Sequence, residues 1–356
     1  MSAGLRVAIA GYGLAGEVFH APLVAATPGL SLVAVTTSDP ARAQRARRAH
    51  ADVELYADAD ELLRRRAPDL DLLVVATPNR LHVPIARSAL AHRVAVVIDK
   101  PLAADAAAAS ALVDGFDAAG VPLTVFQNRR WDGDFLTVQQ VVASGELGSV
   151  TRLESRYERF RPEVDAGAWR ERAAAGEGGG LLLDLGAHLV DQALTLFGYP
   201  DRVYAEIAVR RPGAQVDDDV FVALEHPGGV RSHLWMSAIA PVGGRSLRVS
   251  GTRAGIETPG LDPQEDQLAA GLRPGDDGWG AGEPARWVDG TGERALAIAP
   301  GAYEEFYAAV RDALGDGARL PVDPRDSVAA LRVIEAARRS ARSAAVIETS
   351  TQEEGS

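Results

Sequence analysis

Short, uninterrupted apolar runs punctuate the first third of the chain and alternate with longer segments that mix apolar and charged residues at helical spacing. Leu5–Ala10, Ser31–Thr36, Asp71–Ala76, Val94–Ile98 and Leu123–Phe126 are β-branched or aliphatic without strict alternation, as strands covered on both faces of a parallel sheet are. The segments between them, Ala41–Ala49, Ala59–Arg66, Leu81–Ala91 and Ala104–Ala119, predict helices. Repeated strand–helix alternation of this kind implies a doubly wound parallel sheet of the α/β class. Pro22 falls where the first helix should continue, so a kink or a restart is expected there.

The pattern changes after residue 125. Thr151–Tyr157, Val203–Val209, Val220–Glu225, Val230–Met236 and Ser246–Ser250 alternate apolar with polar positions, and HPGG at 226–229 marks a tight turn. This predicts a second α/β domain with a large, mostly antiparallel open sheet built from hairpins. One helix is expected at Leu181–Leu196. Gly255–Pro300, rich in Gly, Pro and Asp, reads as long loops, and helices at Tyr303–Ala313 and Ser327–Arg342 and a strand at Ala345–Thr349 follow. The expected division is one domain over residues 1–124, a second over 125–349, and a disordered tail over 350–356.

Composition narrows the setting. A chain of 356 residues can bury two cores, and 47% hydrophobic with 24% charged residues is the balance of a soluble globular protein. No stretch approaches the roughly 18 uncharged apolar residues of a membrane span. The opening MSAGLRVAIAGYG lacks the pattern of a signal peptide. The absence of cysteine excludes disulfides and thiolate metal sites and fits a cytoplasmic setting. A net charge of −12 disfavours nucleic acid and anionic membrane as partners.

Chemistry enters at residues 11–16, GYGLAG. A G-x-G-x-x-G loop is weak evidence alone, but here it follows a buried-strand run and opens a helical one. Gly11 permits the tight turn, Gly13 lets the backbone approach a pyrophosphate, and Gly16 lets the helix pack on the strand. Leu14 and Ala15 complete the loop, whose helix N-terminus faces the phosphates. The first domain is therefore expected to bind a nicotinamide dinucleotide. The second strand ends at Thr37 and Ser38, with Arg42 one helical turn later. Two hydroxyls and a guanidinium suit a 2′-phosphate, whereas a free carboxylate would favour NAD. Asp39 precedes Pro40 and reads as an N-cap, so NADP(H) is favoured over NAD(H).

Two further segments look chemical. IDKP (98–101) follows the fourth of these strands, at the carboxyl edge where α/β sheets bind ligands. Lys100 there can share a proton with a substrate oxygen, although a lysine in a turn is equally readable as surface. GGGLLLDLGAHLVD (178–191) sets Asp184 and His188 four apart on one helix face amid apolar residues. Such a pair either lines a pocket as an acid/base unit or forms a buried structural bond. Asp191 reads as a solvent carboxylate at the helix end. No third metal ligand falls at convincing spacing, so no metal is expected. Asn128 in QNRRWDGDF (127–135), Tyr157 and Arg159 in YERFRPE (157–163), and Trp169 are candidate substrate contacts, with domain-interface packing as the competing reading.

Together, GYGLAG, the TPN triplet (77–79) followed by His82, IDKP and the GGGLLLDLGAHLVD helix resemble the Gfo/Idh/MocA oxidoreductases over nearly the whole chain. The usual Glu-Lys-Pro is Asp99-Lys100-Pro101 here. FHAPL (19–23), QNRRWDGDF and PGLDPQEDQLAAGLRPGDDGWG (259–280) resemble a subgroup that includes NADP-dependent scyllo-inositol dehydrogenases. The resemblance implies a Rossmann domain followed by an α/β domain whose open sheet often forms a dimer interface. It implies that Thr77, Pro78, Asn79 and His82 belong to the cofactor site, and that Lys100, Asp184 and His188 are catalytic. Hydride transfer between NADP(H) and a secondary alcohol or ketone of a cyclitol or sugar is the expected reaction, in a homodimer or homotetramer. Either His188 or Lys100 carries the proton. The alternatives are another sugar or deoxysugar as substrate, or an inactive NAD(P)-sensing regulator.

Overall fold

The computed structural model describes residues 4–165, 171 and 178–349. The expected substrate contact Trp169 and the expected tail at 350–356 lie outside them. The chain divides into two compact units, each assembled from separate stretches. The first comprises residues through Trp131, Pro263–Gly280 and Ala302–Val328; the second comprises Asp132–Asp262, Ala281–Gly301 and the chain from Ala329 onward.

In the first unit the apolar runs become strands β1 (Leu5–Ala10), β2 (Leu30–Thr36), β3 (Glu54–Tyr56), β4 (Leu72–Val75), β5 (Ala95–Asp99) and β6 (Leu123–Phe126). They form a parallel sheet in the order β3-β2-β1-β4-β5-β6, the doubly wound arrangement expected. The three-residue β3 is too short to show as a pattern. Helices α1 (Ala21–Ala26), α2 (Pro40–Ala49), α3 (Ala59–Arg66), α4 (His82–Ala91) and α5 (Ala106–Ala119) connect them. Their starts are chemically marked: Asp39, Asp58 and Asp105 each accept backbone N–H bonds as N-caps. The break expected at Pro22 takes a defined form. Ala15–His20 is π-helical, and α1 restarts with the proline in its first turn, where its missing N–H is harmless.

The second unit opens with α6 (Gly133–Ser144) and β7 (Val150–Phe160). The single helix expected at Leu181–Leu196 is two, α7 (Leu181–Asp184) and α8 (Gly186–Phe197), meeting at Leu185. A Cβ at Gly186 would stand 3.0 Å from Leu182 and 3.2 Å from the Met236 sulfur, so glycine lets the joint pack against the sheet. Then come β8 (Arg202–Ala208), β9 (Asp219–Glu225), β10 (Arg231–Ser237), β11 (Ile239–Gly251) and β12 (Ala254–Pro259). Helix α9 (Gln264–Ala270) belongs to the first unit, where Leu268 and Trp279 enter the core. Strands β13 (Ala285–Asp289) and β14 (Gly292–Leu296) return to the second sheet.

The expectation of long loops over Gly255–Pro300 is thus corrected. Ile256, Ala285 and Trp287 are buried at alternate strand positions, but the runs are too short to stand out among the surrounding glycines and prolines. Helix α10 (Tyr303–Asp316), helix α11 (Pro324–Ser343) and β15 (Ile347–Glu348) close the fold.

The second sheet runs β14-β13-β12-β11-β7-β10-β9-β8-β15. It is antiparallel except where β10 runs parallel to β7. One face, with Leu153, Val222, Leu234, Met236 and Leu247, is buried. Helices α6, α7 and α8 pack against this sheet. On β9 and β10 the alternate positions Phe221, His233 and Trp235 are half-buried and form an aromatic cluster, with Arg156 of β7 stacked 3.8 Å from the Trp235 ring.

Candidate active site

Each glycine of GYGLAG meets a distinct constraint. Gly11 has φ +98°, and a Cβ there would stand 2.6 Å from the Ala76 carbonyl oxygen. Gly16 sits so close to Gly11 that a Cβ would come to 2.0 Å from its carbonyl oxygen. Gly13 instead faces open space, its nearest neighbour the Arg42 guanidinium at 3.8 Å. The loop is therefore closed at Gly11 and Gly16, where it packs on the sheet, and open at Gly13, where the expected phosphate would approach. Thr36 fastens it from β2, accepting a 3.0 Å bond from the Gly11 N–H. Leu14 projects into solvent.

At the end of β2, Thr37 Oγ1 accepts from the Asp39 N–H at 3.2 Å, and the Asp39 carboxylate accepts from the N–H groups of Ala41 and Arg42 at 2.8 and 3.1 Å. Those bonds hold its pKa below the usual carboxylate range. Asp39 is the N-cap that the sequence suggested. Ser38 is exposed. Arg42 reaches back over Gly13, while Arg45 is tied bidentately to Glu17 at 2.6 and 2.9 Å.

Beyond β4, Thr77, Pro78 and Asn79 turn into a 3₁₀ segment leading to α4. The Thr77 hydroxyl oxygen is buried without a hydrogen-bond partner among the described residues. Beyond β5, Lys100 is half-buried, its backbone N–H bonded to Asp99 at 2.9 Å, and its peptide bond to Pro101 is cis. His82 is fully buried between these two loops, Nδ1 2.8 Å from the Pro101 carbonyl oxygen and Nε2 2.8 Å from that of Thr77. Asn128, also buried, opens the turn after β6.

Sequence reasoning missed a group below the lysine loop. His20 is fully buried, its Nδ1 2.6 Å from the Tyr307 hydroxyl and its Nε2 3.9 Å from Asp99. Burial pulls its pKa down to about 4, against the pull of Asp99. FHAPL contained His20, but its partner lies on α10, which no local pattern reveals. A second missed signal was in plain view. The 37 basic residues of the chain include a single lysine, Lys100. Arginine serves every other cationic position, and only lysine can release a proton near neutral pH.

In the second unit, Asp184 closes α7 and His188 lies in the first turn of α8, buried against the unit's interior. The two stand on either side of the joint rather than on one uninterrupted helix. Asp191, expected in solvent at the helix end, is 2% exposed; α8 continues past it to Phe197, and it is buried with His188 and Gln192. The start of this region is held by Asp217, whose carboxylate accepts from the Leu182 N–H at 2.6 Å. Burial raises its pKa.

Tyr157 is buried and flanked by two cations, Arg159 at 4.6 Å and Arg245 at 5.7 Å from its ring. The Arg159 side chain also donates to its hydroxyl. Arg245, opposite Tyr157 in register, is buried against Asp132 and Asp134 at 3.3 and 3.6 Å. Arg161 lies past the strand end and contributes its carbonyl to Arg211, which is paired with buried Asp218 and with Glu171. Neither arginine cluster was foreseen: Arg245 and Asp132 lie 113 residues apart and Arg211 and Glu171 40 apart, and Arg211 and Asp218, seven apart, lie between β8 and β9 outside any helix or strand period.

Comparison with known proteins bears on the family and the fold. A model of an oxidoreductase family with an NAD-binding Rossmann fold matches residues 5–127, and a GFO/IDH/MocA C-terminal domain matches 135–257. The chain belongs to the Gfo/Idh/MocA oxidoreductase family. It is 38% identical to the uncharacterized oxidoreductase YdgJ of Escherichia coli over 98% of this chain and 99% of that one. It is 34% identical to the NADP(+) scyllo-inositol 2-dehydrogenase IolW of Bacillus subtilis, over 95% and 94% of the two chains. The triclinic structure of YvaA from Bacillus subtilis superposes with a TM-score of 0.91 at 32% identity, covering 98% of this chain and 99% of that one. The first unit of this family member thus carries an NAD(P)-binding Rossmann fold. Among the described residues no helix is long and apolar enough to cross a membrane.

Proposed function

We propose that the protein is an NADP(H)-dependent dehydrogenase that interconverts a secondary alcohol and a ketone on a cyclitol or sugar, scyllo-inositol or a close relative. The observation that carries this reading is the chain's one lysine, held at the carboxyl edge of the parallel sheet beside the dinucleotide loop's own strand neighbours. The similarity to IolW over 95% of the chain supports the substrate class. A match to a D-apiose dehydrogenase at 31% identity over 57% of the chain keeps other sugars in range.

Gly11, Gly13, Leu14, Ala15 and Gly16 would hold the pyrophosphate, and Thr77, Pro78 and Asn79 the nicotinamide ribose. When bound, the nicotinamide supplies the hydride acceptor or donor. Lys100 or His188 would exchange the proton of the substrate oxygen, with Asp184 orienting the imidazole. Asn128, Tyr157, Arg159 and Trp169 would bind the remaining hydroxyls. The NADP preference rests on Asp39. Its Oδ1 caps α2 and its Oδ2 lies 3.7 Å from the Arg42 guanidinium, so Ser38 and an Arg42 that turns from Asp39 would meet a 2′-phosphate. A second copy of the chain would cover the open face of the second sheet.

The deciding experiment is a panel of cyclitols and sugars assayed with NADP and with NAD at the nicotinamide absorbance band. Turnover of an inositol or sugar with a higher kcat/KM for NADP is expected. Clear NAD preference would sink the cofactor reading, and tight NADPH binding without turnover of any compound would make the protein a sensor.

A further inference from the structure

His82 stands between the two loops that carry the proposed chemistry of the first unit. Its ring is fully buried, so it presents no surface to a ligand, and both nitrogens are spent on backbone carbonyls. The two bonds are not equivalent. Thr77 is five residues from His82 on the same turn into α4, whereas Pro101 is nineteen residues away, immediately after Lys100. The ladder between β5 and β6 ends at the Asp99–Phe126 pair, and the Lys100 N–H bonds the Asp99 side chain. The bond to Pro101 therefore fastens the loop to an element outside its own strand just where sheet pairing stops. A carbonyl oxygen can only accept, so a neutral ring with one N–H bonds only one of the two carbonyls, and a bond to Pro101 requires that proton on Nδ1.

We propose that His82 is a positioning residue for Lys100. Its Nδ1–H, bonded to the Pro101 carbonyl, fixes the lysine loop against the start of α4. The inference rests on the reading of Lys100 as catalytic only for its kinetic consequence; the bond itself is tested without nucleotide or substrate.

Two conservative substitutions separate the bonds. In His82→Asn the amide nitrogen takes the place of Nδ1, and in His82→Gln it takes the place of Nε2. The first readout is the rate at which an amine-acetylating reagent modifies Lys100 in nucleotide-free protein, followed by the mass of the peptide that carries it. With one lysine in the chain the signal has a single source. His82→Gln should label several-fold faster than wild type because its lysine loop is released, and His82→Asn should stay near the wild-type rate. The second readout is kinetic. His82→Gln should lose about tenfold or more in kcat, in keeping with the cost of small misplacements, with NADPH affinity held, and His82→Asn should lose less. The third uses wild type alone: long-range proton–nitrogen NMR of the histidine rings should show the His82 Nδ1 protonated.

Equal labelling of wild type and both variants, a larger effect in His82→Asn than in His82→Gln, or an unprotonated Nδ1 would each overturn the proposal. The expected labelling pattern in a protein that turns over no polyol would leave the positioning bond standing and reject the proposed dehydrogenase activity.

Discussion

At the scale of single residues, the contrast between one lysine and an otherwise arginine-only set of cations is chemical. A guanidinium keeps its proton at any pH a protein tolerates, whereas an ammonium can give one up. Lys100→Arg should keep the charge and lose the function, lowering kcat by about two orders of magnitude, the scale of a lost acid/base group. His188→Asn should fall by a similar factor. Both should bind NADPH within a few-fold of wild type by fluorescence titration; near-normal turnover in both would contradict the assigned roles. Here sequence alone went far. The residues of GYGLAG, Asp39 as a cap, and Lys100 at a strand end are local patterns, and each stands where its local pattern placed it. His20, Tyr307 and Arg245 were invisible because what matters about them is a partner distant along the chain.

Elements show the same division between local and distant information. β1 and β6 coincide with their apolar runs, and α3 with its helical one, because burial on both faces or an amphipathic stripe is written into consecutive residues. The joint between α7 and α8 was not, since Asp184 and His188 keep a four-residue spacing whether or not the helix is continuous. The strands hidden in Gly255–Pro300 escaped because their pairing partners define them more than their composition does. Turn geometry yields a sharper prediction. Gly16→Ala places a methyl 2.0 Å from a backbone oxygen that cannot move without moving the strand-to-helix turn. Stability should drop by about 1–3 kcal/mol, the usual cost of overpacking, and NADPH binding should weaken with it. Gly13→Ala, with open space at its Cβ, should leave the melting temperature unchanged while also weakening NADPH. Equal melting losses in both variants would refute the assignment of separate tasks.

For the molecule as a whole, His20 links folding to acidity. Its pKa falls from the ordinary 6.5 to about 4 on burial, so the unfolded chain takes up a proton that the folded one refuses. The stability this neutral ring contributes is complete above pH 6.5 and is lost as pH falls towards 4. The loss should total roughly 3 kcal/mol at 1.36 kcal/mol per pH unit. Urea melts of wild type and His20→Phe at pH 7 and 4.5 should show a steeper acid loss in wild type; parallel losses would exclude His20 as the source. The aromatic cluster of Phe221, His233 and Trp235 on the open sheet face makes a separate prediction at this scale. A charge there, as in Trp235→Glu, should shift the protein from a dimer or tetramer to a monomer by light scattering, with its melting transition still cooperative. A wild-type monomer at micromolar concentration would remove the basis for it.

The interleaving of the two units has a consequence for how the protein is made. The parallel sheet is complete in sequence by Phe126, yet Leu268, Trp279, Tyr303, Phe306, Tyr307 and Val322 belong to the core that covers it. A ribosome delivers those residues only after β7 to β12 of the second unit. The nascent nucleotide-binding half must therefore wait, with apolar surface bare, while most of the second sheet emerges. A fragment ending near residue 131 would keep the glycine loop and lose the packing beneath it.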